Sequence, residues 1–351
     1  MKHGIFYGRS RTLLAQAAAC AVLALSAGAA LANEVAELRV LAHSSFTVPK
    51  PLLAQFEKDA GVKLRITKAG DAGEMLNKLI LTKAKPIADV VYGIDNALAP
   101  KALAAEVLEP YAGAAAGRSS PVPMVAPLVS VDYGYVTVNY DKAWFAKSGL
   151  ALPKTLEALT QPAYAGLLVV QNPATSSPGY AFLLATIGTL GEEKAFDWWG
   201  RMRANGLKAA KGWTEAYYTD FSRNGGKYPL VVSYATSPAA ELFYAKDKPT
   251  EPPTGSLSLP GGVFRQVEGV ALVKGGRSVE AAGKFIEFMR SASVQQQMQT
   301  EMWMFPAEAG VALADVMKFA PEPAGFSSPA DKDIADKGPQ WLARWTRVVL
   351  K

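Results

Sequence analysis

Short runs rich in β-branched residues alternate along the chain with stretches whose apolar side chains recur every three or four positions, the pattern of strands and amphipathic helices laid in turn. Leu38-Arg39-Val40-Leu41-Ala42 reads as a first strand. A helix follows over Pro51–Ala60, where Leu52, Leu53 and Phe56 form an apolar stripe and Gly61 is placed as a C′ stop. A strand at Lys63–Lys68, a helix from Asp71 and a strand at Ala88–Ile94 complete a first set. Asp71, with Glu74 three positions on, resembles a capping box.

Two longer alternating segments, Val131–Tyr140 and Phe264–Val273, are long enough to leave one lobe and enter another, and they are predicted to be paired crossovers. The second follows a Pro/Gly-rich break at Pro249–Gly262. Between them the pattern predicts strand Leu167–Gln171, helices from Ser177, over Glu192–Asn205 and from Thr214, strand Leu230–Tyr234 and a helix from Ser237. Helices at Ser278–Arg290, Val294–Thr300 and near Gln340–Val349 follow, the last with Trp341, Trp345 and Val348 on one face. The fold class is α/β over a largely parallel sheet. Its predicted lobes are residues 33–132 plus 268–351, which include the C-terminal helices, and residues 133–267. One lobe interrupted by another and joined through two strands is the build of hinged proteins that close on a small ligand.

Composition narrows this reading. With 351 residues, 50% hydrophobic and 19% charged, the chain suits two globular units and is neither a disordered tail nor a disulfide scaffold. Residues 1–32 read as a secretory signal peptide: Lys2, Arg9 and Arg11 precede an apolar run that closes on Ala30-Leu31-Ala32. Its removal lowers the formal charge from +6 to +3, since three basic and no acidic residues go, and takes Cys20 and His3 with it. The small remaining charge and the lack of a basic cluster with interleaved aromatics argue against nucleic acid. Without cysteine, and with His43 the single histidine, zinc sites, iron–sulfur clusters and cysteine nucleophiles are excluded. No G-x-S-x-G elbow accompanies His43.

Thr175-Ser176-Ser177-Pro178-Gly179 follows a strand and opens a helix, with Ser177 the expected N-cap and Pro178 at the first helical position. Ser233-Tyr234-Ala235-Thr236-Ser237-Pro238 repeats the device. Hydroxyls and free amides at two such turns, both at the carboxyl ends of parallel strands, would face one crevice and suit an anion such as phosphate. Trp213, in Lys211-Gly212-Trp213-Thr214-Glu215-Ala216-Tyr217-Tyr218, stands beside a glycine at a helix start and with Tyr234 would wall a flat or cationic ligand. Trp198, Trp199, Trp341 and Trp345 read as core. Asp71, directly after a strand, is placed to meet a positive ligand group; His43, at the end of the first strand before Ser44, is placed at the same sheet edge.

With these segments in view the chain resembles the periplasmic thiamine-binding proteins of bacterial thiamine ABC importers. The likeness spans nearly all of the chain after the signal and is carried by Ala88-Asp89-Val90-Val91-Tyr92-Gly93-Ile94-Asp95-Asn96, Asp132-Tyr133-Gly134-Tyr135, the Pro173–Gly179 and Lys211–Tyr217 segments, Ser233–Ala239 and Trp303-Met304-Phe305-Pro306. The resemblance implies a type II periplasmic binding-protein fold with the two crossovers as hinge, a periplasmic location and a non-enzymatic, monomeric carrier without cofactor. The implied ligand is thiamine or its mono- or diphosphate, and the implied partners are an importer permease and its ATPase. It further implies ligand contacts at Asp71 and Ala72, at Ser176 and Ser177, at Trp213, and at Tyr234, Ala235, Thr236 and Ser237. His43, Ser44 and Tyr217 are added as neighbouring candidates. The chain departs from the family where many members read Thr-Tyr-Asp-Ser-Phe: here Ala42-His43-Ser44-Ser45-Phe46 replaces an aromatic and an acid, which should weaken preference for a cation. Alternatives are a ferric-ion carrier using Tyr217 and Tyr218 with His43, a polyamine or small-anion carrier and, from another class, a secreted serine hydrolase using His43.

Overall fold

The structure, a computed structural model, describes Met1 and residues 36–351. The predicted signal peptide, Met1 aside, lies outside the described residues. From Glu37 to Lys351 the chain packs as one compact unit. Its strands are β1 (Ala36–Ala42), β2 (Val62–Lys68), β3 (Val90–Asp95), β4 (Leu108–Glu109), β5 (Val129–Asp141), β6 (Leu168–Gln171), β7 (Lys208–Ala210), β8 (Leu230–Tyr234), β9 (Thr254–Leu257), β10 (Phe264–Val273) and β11 (Phe305–Pro306).

They form one sheet in the order β2-β1-β3-β10-β5-β8-β6-β7, with β4 beside β10 and with β9 and β11 beside β5. The flanks contain the expected parallel pairs, β1 with β3, and β6 with β7 and β8. The centre corrects the largely parallel expectation: β5 and β10 run antiparallel to each other and to their outer neighbours β8 and β3. The chain crosses the middle once in each direction, so its two crossing strands must oppose each other. The ladder on β10 shifts register at Glu268/Gly269 against β5 and at Gly269/Val270 against β3. This bulge falls on one of the two middle strands of the sheet.

Local signals account for most helix ends. Gly61 ends the Lys50–Ala60 helix with φ 66°, the left-handed conformation glycine adopts without a Cβ penalty. Asp71 caps the Ala72–Leu81 helix by accepting from Ala72 N. The predicted capping box does not form, because the Glu74 carboxylate instead reaches Lys211 Nζ at 2.9 Å. The N-cap position of the Ser177–Leu190 helix is Ser176 rather than Ser177, without a side-chain cap bond, and Pro178 lies inside the first turn. The Pro249–Gly262 break contains β9, which pairs with β5. The helix expected from Thr214 is a single turn, Trp213–Glu215, continued by a wider π-type turn over Ala216–Asp220. The last helix starts at Asp331, well before the expected Gln340, and runs through Pro339 to Trp345.

The core on one side of the sheet centres on Trp198, Trp199 and Trp345, with Trp341 beside them, all buried as expected. Trp199 meets Trp198 at 4.9 Å and Trp345 at 5.6 Å, each edge to face, the arrangement the ring quadrupole favours. Both central indoles are satisfied: Trp198 Nε1 donates to Leu156 O and Trp199 Nε1 to Thr186 Oγ1. A second core packs Phe46, Phe56, Phe285 and Met289 against the opposite face of β1 and β3.

Candidate functional site

The chain ends of several strands converge on one cavity of about 450 Å³. From one side come the loop after β1 and the start of the Ala72–Leu81 helix, held together where Ser44 N donates to Gly70 O and Ala69 N to Ala42 O. From the other come the helix starts after β6 and β8 and the Trp213 turn after β7. Glu268 of β10 and the Glu301–Met304 segment complete the wall.

Of the residues singled out from the sequence, His43, Ser44, Asp71, Ala72, Ser177, Trp213, Tyr217, Tyr234, Thr236 and Ser237 line this cavity. Ser176 and Ala235 do not; both are buried behind the lining. Ser176 stands one residue before the lining Ser177, at the N-cap position. Its hydroxyl and that of Thr236 are buried without hydrogen-bond partners.

Trp213 lies flat on Tyr217, with ring centroids 5.0 Å apart and planes 18° apart. Its position is fixed at two points. Trp213 Nε1 donates to Ser233 Oγ at 2.8 Å, and its backbone N–H donates across the cavity to Asp71 Oδ2 at 3.0 Å. Ser233 in turn shares a hydrogen bond with Ser237. Asp71 is therefore occupied on both oxygens by backbone amides, Ala72 on one and Trp213 on the other. Glu74 N also donates across the cavity, to Thr175 O at 3.1 Å.

The wall contains carboxylates that the sequence reading missed: Glu241, Glu268 and Glu301 line the cavity with Asp71, and its lining residues include neither lysine nor arginine. The acid absent from the first loop is thus matched by others nearby. Glu268 is the deepest. It accepts from Gln266 Nε2 at 3.2 Å, its Oε2 lies 3.1 Å from Tyr92 Oη, and its Oε1 lies 3.4 Å from His43 Nε2. Burial pushes the Glu268 carboxyl up, but the charge of His43 and the surrounding donors outweigh it and hold the group below 4.5. Burial likewise opposes a charge on His43, yet Glu268, then Asp71 and Asp95, raise it above 6.5. Asp132, opposite Glu268 on β5, is pushed well above 3.8 by burial and by Glu268, and Tyr92 Oη donates to it at 2.5 Å. The available sequence signal for Glu268 was an acid in the middle of a crossing strand, directly before the apolar run Val270-Ala271-Leu272-Val273.

Trp303, another lining aromatic that carried no assigned role, has φ 58°, a strained backbone of the kind found where a ligand wall is over-determined. Among the described residues no cluster of three or more His, Cys, Asp or Glu is arranged to take a metal ion.

Comparison with known proteins agrees with this architecture. Residues 85–337 match a family described as bacterial extracellular solute-binding protein. The chain is 30% identical over 337 residues to the thiamine-binding periplasmic protein of Salmonella typhimurium, covering 94% of this chain and 98% of that one. It is 29% identical over 319 residues to the protein of the same name from Escherichia coli, covering 90% and 94%. Among solved structures, a periplasmic thiamin binding protein superposes with a TM-score of 0.79 at 28% identity, covering 89% of this chain and 96% of that one.

Proposed function

Because the chain belongs to the bacterial extracellular solute-binding proteins, a periplasmic class built on this α/β fold, we propose that it captures thiamine or a thiamine phosphate in the cavity and passes it unaltered to an ABC importer. The observation that carries this reading is the composition of the wall: the Trp213–Tyr217 stack and Tyr234 beside several carboxylates, with no lysine or arginine in the lining. A flat, permanently cationic ring system stacks on such a surface and is drawn to such a charge. The helix starts at Ser177 and Ser237, with the unpartnered Thr236 hydroxyl, offer donors to the ligand's alcohol or phosphate arm. The similarity to proteins named for thiamine binding supports the same ligand.

In this reading residues 33–132 plus 268–351 and residues 133–267 act as the two lobes, hinged at β5 and β10. The protein makes and breaks no bond, and its partners are a membrane permease and that permease's ATPase. The ferric alternative would need the Tyr217 hydroxyl open to an ion, whereas the residue is buried with its ring stacked beneath Trp213. A hydrolase would need a serine bonded to His43, whose Nε2 hydrogen-bonds to none.

The test is calorimetric titration of the purified chain with thiamine, its monophosphate and its diphosphate. Saturable binding of at least one with recovery of the intact compound is expected. Absence of binding to all of them, or recovery of a cleaved product, would reject the proposal.

A further inference from the structure

We propose that His43 and Glu268 are the charge-selecting element of the cleft: a cationic ligand is held against Glu268 by displacing the proton that His43 carries, and that proton leaves to solvent. This deepens, and rests on, the reading of the cavity as a thiamine site.

The other lining carboxylates have partners whose charge does not change near neutral pH. Asp71 is bonded by two backbone amides, Glu241 faces the Arg223 guanidinium at 3.5 Å, and Glu301 accepts from the Thr47 hydroxyl at 3.4 Å. Glu268 differs, because among the described residues its only cationic partner is an imidazole, the one side chain that ordinarily gains and loses its charge near neutral pH. The contact is also loose. His43 Nε2 is buried and 3.4 Å from Glu268 Oε1, yet it makes no hydrogen bond of good geometry, so deprotonation breaks none.

The groups that face His43 are Glu268 from β10, Asp71 from the start of the Ala72–Leu81 helix, and Asp95 and Tyr92 from β3, with Asp132 of β5 beyond Tyr92. All are acids or phenols; burial holds Asp95 and Asp132 protonated, so they are the other groups that could release a proton to an arriving cation, and His43→Gln separates their contribution from that of the imidazole. An imidazolium and a ligand cation in the same buried floor repel each other strongly, since little solvent screens them. They compete for one carboxylate. When the ligand wins, one positive charge enters and one proton departs, so the floor keeps its net charge. A neutral ligand of the same shape has no such exchange to drive.

The experiment is calorimetric titration of the protein with thiamine near pH 6, where His43 is protonated, in buffers of low and high protonation enthalpy. The same is done with the neutral analogue in which a thiophene replaces the thiazolium. The expected result is release of about one proton per thiamine, none with the neutral analogue, and affinity for thiamine that rises up to about tenfold per pH unit through the His43 titration. His43→Gln should abolish the release and flatten the pH dependence of affinity, and Glu268→Gln should narrow the preference for the cation over the neutral analogue. Thiamine binding whose heat is independent of buffer from about pH 6 to 8, or equal proton release from His43→Gln, overturns the inference and leaves the thiamine site intact. Absence of thiamine binding altogether overturns the functional reading and this inference with it.

Discussion

Replacing Gly73 by Ala tests whether the contacts that span the cleft set its affinity. A Cβ built on Gly73 would lie 2.7 Å from the Thr175 carbonyl carbon and 2.8 Å from its oxygen, both backbone atoms on the far side. Neither can swing away as a flexible side chain would, so the two sides must part. Parting breaks the Glu74 N to Thr175 O bond of 3.1 Å and stretches the Trp213 N to Asp71 bond of 3.0 Å. A neutral backbone hydrogen bond contributes about 1 kcal/mol and one to a carboxylate about 1.5–3 kcal/mol. Loss of the first and part of the second should weaken ligand binding by about 1–3 kcal/mol, or about 5- to 150-fold in Kd. The Lys211–Glu74 pair is exposed and adds nothing to this figure. The fold itself should not suffer, because alanine favours a helix over glycine by about 1 kcal/mol. Calorimetry with ligand and a thermal melt without it separate the two effects. A Kd within about twofold of the parent refutes the reasoning, as does a Tm that falls in step with affinity.

Three further outcomes follow from the same geometry. Trp213→Ala should weaken thiamine binding by about 1–3 kcal/mol through loss of stacking, with a Tm close to the parent's because the ring is only half-buried; unchanged affinity in calorimetry rejects the stacking role. Trp345→Ala, by contrast, empties a fully buried site against Trp199 and should cost about 3–5 kcal/mol in urea unfolding; a loss under about 1 kcal/mol would mean the core can collapse around the gap. Asp95 is raised from 3.8 to about 7, chiefly by burial, so the folded state holds a proton that the unfolded state has released. Stability from this group is therefore full below its unfolded value and declines as pH rises toward about 7. Asp95→Asn should flatten that decline in urea melts across the interval, and an unaltered slope would remove Asp95 as its cause.

Much of the fold was legible because its cues were local. Gly61, Asp71 and the serine–proline turns punctuate strongly amphipathic stretches, and Phe264–Val273 is read to the residue. The discrepancies arise where a distant partner decides. β9 lies in a Pro/Gly-rich segment with little strand propensity and exists because β5 offers an open edge. Pro339 reads as a breaker, yet the Asp331–Trp345 helix continues through it, anchored by Ile334, Trp341 and Trp345 in the core. The turns bearing Ser177, Trp213 and Ser237 could be found from sequence, since each couples a strand end to a helix start. Glu241, Glu268 and Glu301 could not be ranked, because their meaning depends on three separate segments facing one space. The N-cap position falls at Ser176, one residue before the expected Ser177, for a simpler reason: proline is tolerated in the first turn, so it marks a helix start only approximately.

The bulge at Gly269 has a mechanical consequence. A ladder that shifts register on both edges at neighbouring residues is the one interruption in the pairing of β10 with its two long neighbours, so any scissoring about β5 and β10 would pivot there. Glu268 is the residue next to that pivot, and the electrical state of the floor would therefore be felt as torque on the joint. Exchange of a proton for a cargo molecule and the swing of the jaws would then be two faces of one event.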